Sequence, residues 1–234
     1  MKGSRWLSRV RLGRTASVKA LMPLLQRDTS PGGPGSVDVD RRLVWSLFAD
    51  GPDRRRDFLW RRMEDGTFLV LSERRPEDYH GLFEIDEPKA FAPALAPGDR
   101  LRFSLRANPT VRKSKEPGRR HAPRHDVVMD ALHPLSDSSR AERRMSAIQE
   151  KGFGWLSRQS CKAGFGIRED QLLCEGYRQH RIDRGSSKPA LSFSSLDFEG
   201  VLEVREPDLL ISAIARGFGP SKAFGCGLML IRRL

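Results

Sequence analysis

The residue pattern predicts an α+β protein of two tandem units, each running strand, helix, strand, strand, helix, strand. Three observations carry this. Short alternating apolar runs occur in both halves of the chain. Near the start of each half lies a stretch with apolar residues at helical spacing. A basic segment containing Pro117, Gly118 and Pro123 separates the halves. A length of 234 residues suits one or two domains.

In the first half, Trp6–Leu12 alternates Trp6, Ser8, Val10 and Leu12 around basic residues and reads as the opening strand. Residues 29–36 are rich in Pro and Gly and predict a loop. Across 38–49, Leu43, Val44, Leu47 and Phe48 recur at helical spacing, and Asp50-Gly51-Pro52 stops the helix. Residues 58–63 and Thr67–Ser72 flank Glu64-Asp65-Gly66, a hairpin signal. A short helical stretch is expected next. Residues 100–105 alternate Leu101, Phe103 and Leu105 with Arg100, Arg102 and Ser104, and are expected to close the first unit.

In the second half, residues 125–130 carry Val127, Val128 and Met129 and read as a short strand. Residues 141–158 form a helix with Met145, Ile148 and Trp155. Residues 164–177 and 189–204 are strands joined by a basic turn over 178–188. Pro207 at a first helical position opens a helix to Arg216, and 226–231 is a final apolar strand. Both halves follow the ferredoxin-like order. The expected division is a ferredoxin-like domain over 1–109, a basic linker loop over 110–124, and a second such domain over 125–234.

Lys plus Arg number 42 and Asp plus Glu 30, for a net charge of +12. That excess favours a polyanionic partner, most simply nucleic acid. Arg outnumbers Lys by 33 to 9. The guanidinium fork binds phosphate bidentately, although a GC-rich genome also inflates Arg. Between Arg100 and His125 nine basic residues face one acid, Glu116. That run reads as an RNA contact in preference to a solvated linker. Cys161, Cys174 and Cys226 show no metal-ligand spacing, so no metal or other cofactor is expected. They suit a reducing, cytoplasmic setting as small buried hydrophobes. Runs approaching the ~18 apolar residues of a membrane span are missing from the sequence. Arg5, Arg9, Arg11 and Arg14 interrupt any signal-peptide core, so no membrane or secreted role is expected.

The most specific segment is Gly217-Phe218-Gly219-Pro220-Ser221-Lys222-Ala223-Phe224-Gly225-Cys226-Gly227, two Gly-x-Gly pairs between a helix and a strand. Turn amides can bind a phosphate oxygen, and Lys222 adds a cation. A tight helix-to-strand turn explains the same glycines. A dinucleotide fingerprint is excluded, because that motif follows a strand and opens a helix.

This glycine-rich loop resembles that of the RAMP proteins of CRISPR systems. Trp6-Leu7-Ser8-Arg9-Val10 is similar to their opening strand. Leu43-Val44-Trp45-Ser46-Leu47-Phe48 and Arg55-Arg56-Asp57-Phe58-Leu59-Trp60 are similar to their helix and second strand. Leu105-Arg106-Ala107-Asn108-Pro109 matches a signature before a basic loop, and Leu196-Asp197-Phe198-Glu199-Gly200 the strand before the last helix. Together these identify the chain as resembling the CasE/Cse3-type CRISPR RNA endoribonucleases of type I-E Cascade. The resemblance implies two ferredoxin-like domains with a basic cleft that binds the stem-loop of CRISPR repeat RNA. It implies metal-independent cleavage at the 3′ base of the stem. The 2′-hydroxyl attacks phosphorus, leaving a 2′,3′-cyclic phosphate and a 5′-hydroxyl. The RNA is then retained beside other Cascade subunits.

One departure stands out. The family's proton-transferring histidine lies four residues before the helix tryptophan, which here is Arg41, and its assisting tyrosine falls on Asp38. Arginine, with a pKa above ~12, cannot shuttle a proton near neutral pH, although it can hold a phosphate. An inactivating substitution, a shifted register, or a proton supplied elsewhere would each account for this. His121 and His125, beside the basic loop, are candidates for the last; His80, His133 and His180 have no local support in the sequence. The alternative function is therefore a cleavage-deficient subunit that holds the RNA hairpin. A DNA-binding module is disfavoured, since no recognition-helix pattern is present. For RNA binding the candidates are Arg112, Lys113, Lys115, Arg119, Arg120 and Arg124 along the backbone. Arg178, Arg181, Arg184 and Lys188 resemble the hairpin placed against the stem. Lys222 with Gly217, Gly219, Gly225 and Gly227 is expected near the first helix. Trp155 and Phe165 are expected in the core.

Overall fold

The computed structural model describes residues 5–15, 36–51, 55–64, 66–113, 123–182 and 189–234. Its architecture is α+β with two main antiparallel sheets. The first holds β1 (Trp6–Leu12), β2 (Phe58–Arg62), β3 (Thr67–Ser72) and β4 (Phe83–Ile85) in the order β2-β3-β1-β4, with β5 (Lys89–Ala90) also on β1. Helix α1 (Ser36–Ser46) covers one face. Leu43, Val44, Leu47 and Phe48 pack there against Val10, Phe58, Trp60, Phe68 and Val70. The apolar spacing seen in the sequence is thus a buried stripe that starts on the helix at Leu43 and Val44 and continues into the turn after it at Leu47 and Phe48.

The second sheet holds β6 (Arg100–Ala107), β9 (Phe165–Ile182), β10 (Leu191–Val204) and β11 (Met229–Arg233) in the order β11-β6-β10-β9. Three helices accompany it: α2 (Val127–Leu132), α3 (Asp137–Lys162) and α4 (Pro207–Arg216). Trp155, Leu156, Phe165, Leu196, Phe198 and Ile214 form its core, as expected for Trp155 and Phe165. Leu59 and Leu71 of the first sheet belong to this second core, which seats the sheets against one another.

Several elements differ from the sequence expectation. Residues 100–105 form a strand, but β6 lies between β10 and β11 in the second sheet rather than closing the first. Alternation identifies a strand and its buried side; it does not identify the partner, which here is chosen by the apolar face of β10. Residues 127–132 are helical, not extended. Asp126 caps them, its carboxylate accepting from the Val128 and Met129 amides at 2.8 and 2.7 Å. No helix occurs between β3 and β6, where β4 and β5 run instead. The basic segment 110–124 is more than a linker. Its described ends pair as β7 (Thr110–Arg112) and β8 (Arg124–Asp126), an antiparallel hairpin pair that forms a separate two-stranded sheet. The start of the expected basic turn, through Ile182, belongs to β9.

Cys174 and Cys226 are buried, as expected for small hydrophobes, whereas Cys161 is exposed. Burial pushes both buried thiols up to about 12. Among the described residues no helix is long and apolar enough to cross a membrane.

Candidate nucleic-acid interface

Period-two alternation sorts the second sheet into two faces. Leu196 and Phe198 point toward α3, where the ring of Trp155 stacks 5.5 Å from Phe198. Phe193, Ser195 and Asp197 take the other face, in register with His180 and Arg178 on β9 and with Arg106 on β6. Arg106 grips Asp197 through two bonds of 2.7 and 2.6 Å. That bidentate pair stiffens the floor of the site.

The glycine-rich loop closes over this floor. Its glycines serve packing first. A Cβ on Gly225 (φ +77°) would lie 3.0 Å from the Trp60 ring, and one on Gly219 (φ +71°) would lie 2.9 Å from the Asn108 carbonyl. The amides of Gly217 and Gly227 bond within the fold, to Ala213 and Arg106 carbonyls, so neither is available to a phosphate. Asn108, buried after β6, donates to Ser221 Oγ at 2.7 Å, and Trp60 Nε1 donates to the Ala223 carbonyl at 3.3 Å. The loop apex, a 3-10 turn over Lys222–Phe224, is thereby fixed beside β2 and α1.

A cleft of about 1040 Å³ runs between this loop, the β7–β8 hairpin and the start of β10. Arg56, Arg112, Arg124, Lys162 and Lys222 line it. None of the five forms an ion pair among the described residues. Arg112 and Arg124 stand directly opposite across the hairpin. Like charges so placed repel until an anion joins them. The one acid lining the cleft among the described residues, Asp126, is engaged as the α2 cap. Burial and the neighbouring Arg56 and Arg216 hold Lys222 below the usual lysine range.

An adjoining depression of about 260 Å³ is lined by Val37 and Asp40 of α1, Trp60 and Arg62 of β2, Arg106, Arg178, His180, Ser195 and the loop residues Phe224 to Cys226. Asp40 is buried, and Arg62 Nη1 donates to both its oxygens at 3.0 and 2.9 Å. Burial raises its pKa and the arginine opposes that rise. His180 Nε2 lies 2.8 Å from Ser195 Oγ, and its ring stacks 4.7 Å from Phe193, which stacks 5.1 Å from Phe224. Burial, Arg106 and Arg178 push the His180 pKa below its usual value.

The structure thus gathers Arg112, Arg124, Gly219 and Lys222 on one cleft and places Arg178 and Gly225 on the depression next to it. Arg181 lies beside Arg178 on a third, neighbouring depression. Lys113 points elsewhere and pairs with Asp130. Gly217 and Gly227 are packing positions. Lys115, Arg119, Arg120, Arg184, Lys188 and His121 lie outside the described residues. Arg41 Nε donates to Asp38 at 2.8 Å, and Arg42 shares that carboxylate. Neither Arg41 nor Asp38 lines the cleft or the depression. Sequence reasoning missed Arg56, Lys162 and His180. The signal for His180 was its place two residues after Arg178, hence on the same face of one strand.

A family profile described as CRISPR associated protein matches residues 6–233 of this chain. The CRISPR-associated endoribonuclease Cse3 of Thermus thermophilus is 31% identical over 210 residues, spanning 83% of this chain and 88% of that protein. The chain belongs to the CasE/Cse3 family. A second CasE/Cse3 relative, the CRISPR system Cascade subunit CasE of Escherichia coli, is 27% identical over 82% of this chain and 89% of its own length. Among solved structures, CRISPR endoribonuclease Cse3 bound to a 19-nucleotide RNA superposes with a TM-score of 0.66 at 25% identity, covering 99% of this chain and 100% of that one.

Proposed function

We propose that this chain binds the stem-loop of CRISPR repeat RNA across the basic cleft, cleaves the precursor at the 3′ base of the stem, and keeps the product within a cytoplasmic Cascade assembly beside its other subunits. The observation that carries this is the row of cations along the cleft that form no ion pair among the described residues, in a chain of the CasE/Cse3 family. A row of that kind is the footprint of a phosphate backbone. The strand orders β2-β3-β1-β4 and β11-β6-β10-β9, the first with helix α1 between its strands and the second with α2, α3 and α4, support two ferredoxin-like units, the second opening at Arg100. Cleavage follows attack of the 2′-hydroxyl on phosphorus, and the chain's part is to orient the RNA and move a proton.

The test is binding of a fluorescent RNA hairpin carrying the CRISPR repeat of the same genome, titrated over salt against a DNA hairpin of equal length. Tighter RNA binding is expected, with affinity falling steeply as salt rises. Equal affinity for DNA would sink the proposal.

Arg41 favours a second reading, a subunit that holds the hairpin without cutting it. Its guanidinium pairs with Asp38 and cannot exchange a proton near neutral pH. Under that reading Arg41→His gains cleavage in EDTA while the wild type has none.

A further inference from the structure

Resting on the RNA-processing reading, we propose that His180 is the proton-transferring residue of this chain. Cleavage through a 2′-hydroxyl needs a group that exchanges a proton near neutral pH within reach of the cleft. Arg41 cannot do so. The other titratable groups on the site are engaged or unsuited. Asp40 is buried under Arg62, Cys226 is sealed in the core, and Lys222 Nζ donates to the Arg216 carbonyl at 2.6 Å. Of the four histidines described, His80, His125 and His133 line neither the cleft nor the depression. Among the described histidines His180 is left, and its seat is built. Ser195 Oγ anchors Nε2, the Phe193 ring backs the imidazole, and among the described residues Nδ1 has no hydrogen-bond partner. Rigid placement of this kind is what proton transfer requires.

The groups facing His180 are Arg178 on its own strand, Ser195 and Asp197 on β10, Arg106 on β6, Arg62 on β2, Asp40 on α1 and Cys226 in the loop. Burial first, then Arg106 and Arg178, lowers the pKa of the ring and so favours its neutral form. Neutral imidazole accepts the 2′-hydroxyl proton as the 2′-oxygen bonds to phosphorus. The bond from phosphorus to the 5′-oxygen breaks, and that oxygen takes a proton from water. The hydroxide so formed is neutralised when His180 releases its proton.

The experiment is single-turnover cleavage of the labelled repeat hairpin in EDTA by wild type, His180→Asn and His180→Ala. Both variants should lose about 10²–10⁴ in rate. Hairpin affinity should stay within about threefold, which also reports a folded protein. Added imidazole should partly restore His180→Ala. The wild-type rate should rise with pH and level off, with its inflection below 6.5, the sense required of a base whose pKa is lowered from 6.5. His180→Asn cutting at the wild-type rate would overturn the assignment and leave RNA processing intact. A wild type that binds the hairpin and never cuts it overturns the assignment in favour of the binding-only reading. A wild type that does not bind it overturns the RNA-processing reading itself.

Discussion

Asp40 and Arg41 are neighbours on one helix with opposite fates. Asp40 is 6% exposed and faces the depression, while Arg41 is occupied by Asp38. Sequence spacing singled out Arg41; burial makes Asp40 the more consequential residue. Its folded-state pKa is raised above 3.8, so the folded chain binds that proton more readily than the unfolded chain does. Stability therefore falls as pH rises from 3.8 through the folded value. Asp40→Asn should remove this dependence, as read by urea denaturation of both proteins from pH 4 to 7. Gly225 is a second residue-scale case. Its Cβ would meet the Trp60 ring at 3.0 Å, and its φ is +77°. Gly225→Ala should cost about 1–3 kcal/mol by denaturant titration.

The β7–β8 hairpin and α3 are the elements on which the cleft depends. The hairpin was legible as a basic segment but not as paired strands, because its interior lacks alternation and its ends are only three residues each. Its pairing sets Arg112 against Arg124, and the double variant Arg112→Gln/Arg124→Gln should flatten the slope of log affinity against log salt by about 1.5–2. A variant with an unchanged slope would mean that neither arginine meets a phosphate. Helix α3 carries Trp155, which is 2% exposed, stacks on Phe198 and lies under Gly219. Trp155→Ala should cost about 3–5 kcal/mol, checked by chemical denaturation. It should also weaken RNA binding, because the ring supports the loop that bears Lys222.

At the scale of the whole molecule, β6 belongs with the second sheet although it precedes the basic segment. It lies inside the second sheet, so a fragment of residues 125–234 lacks an inner strand, leaving β10 without a partner on one side and β11 without the strand it pairs with. Residues 100–234 should unfold cooperatively by circular dichroism, and residues 125–234 should not. By itself the sequence determined the types of most elements, the burial of Trp155 and Phe165, the family, and a basic charge excess that favours a polyanionic partner. Those properties rest on periodicity, turn residues, motifs and net charge, which act over a few positions or over the chain as a sum. Only the tertiary structure decided which sheet takes β6, which cations meet on one cleft, and that His180 sits among Arg106, Arg178, Ser195 and Phe193. The side chains that meet there come from β2, α1, β6, β9, β10 and the glycine-rich loop. Their convergence follows from the burial of two apolar faces against one another, a long-range packing term that no local pattern encodes.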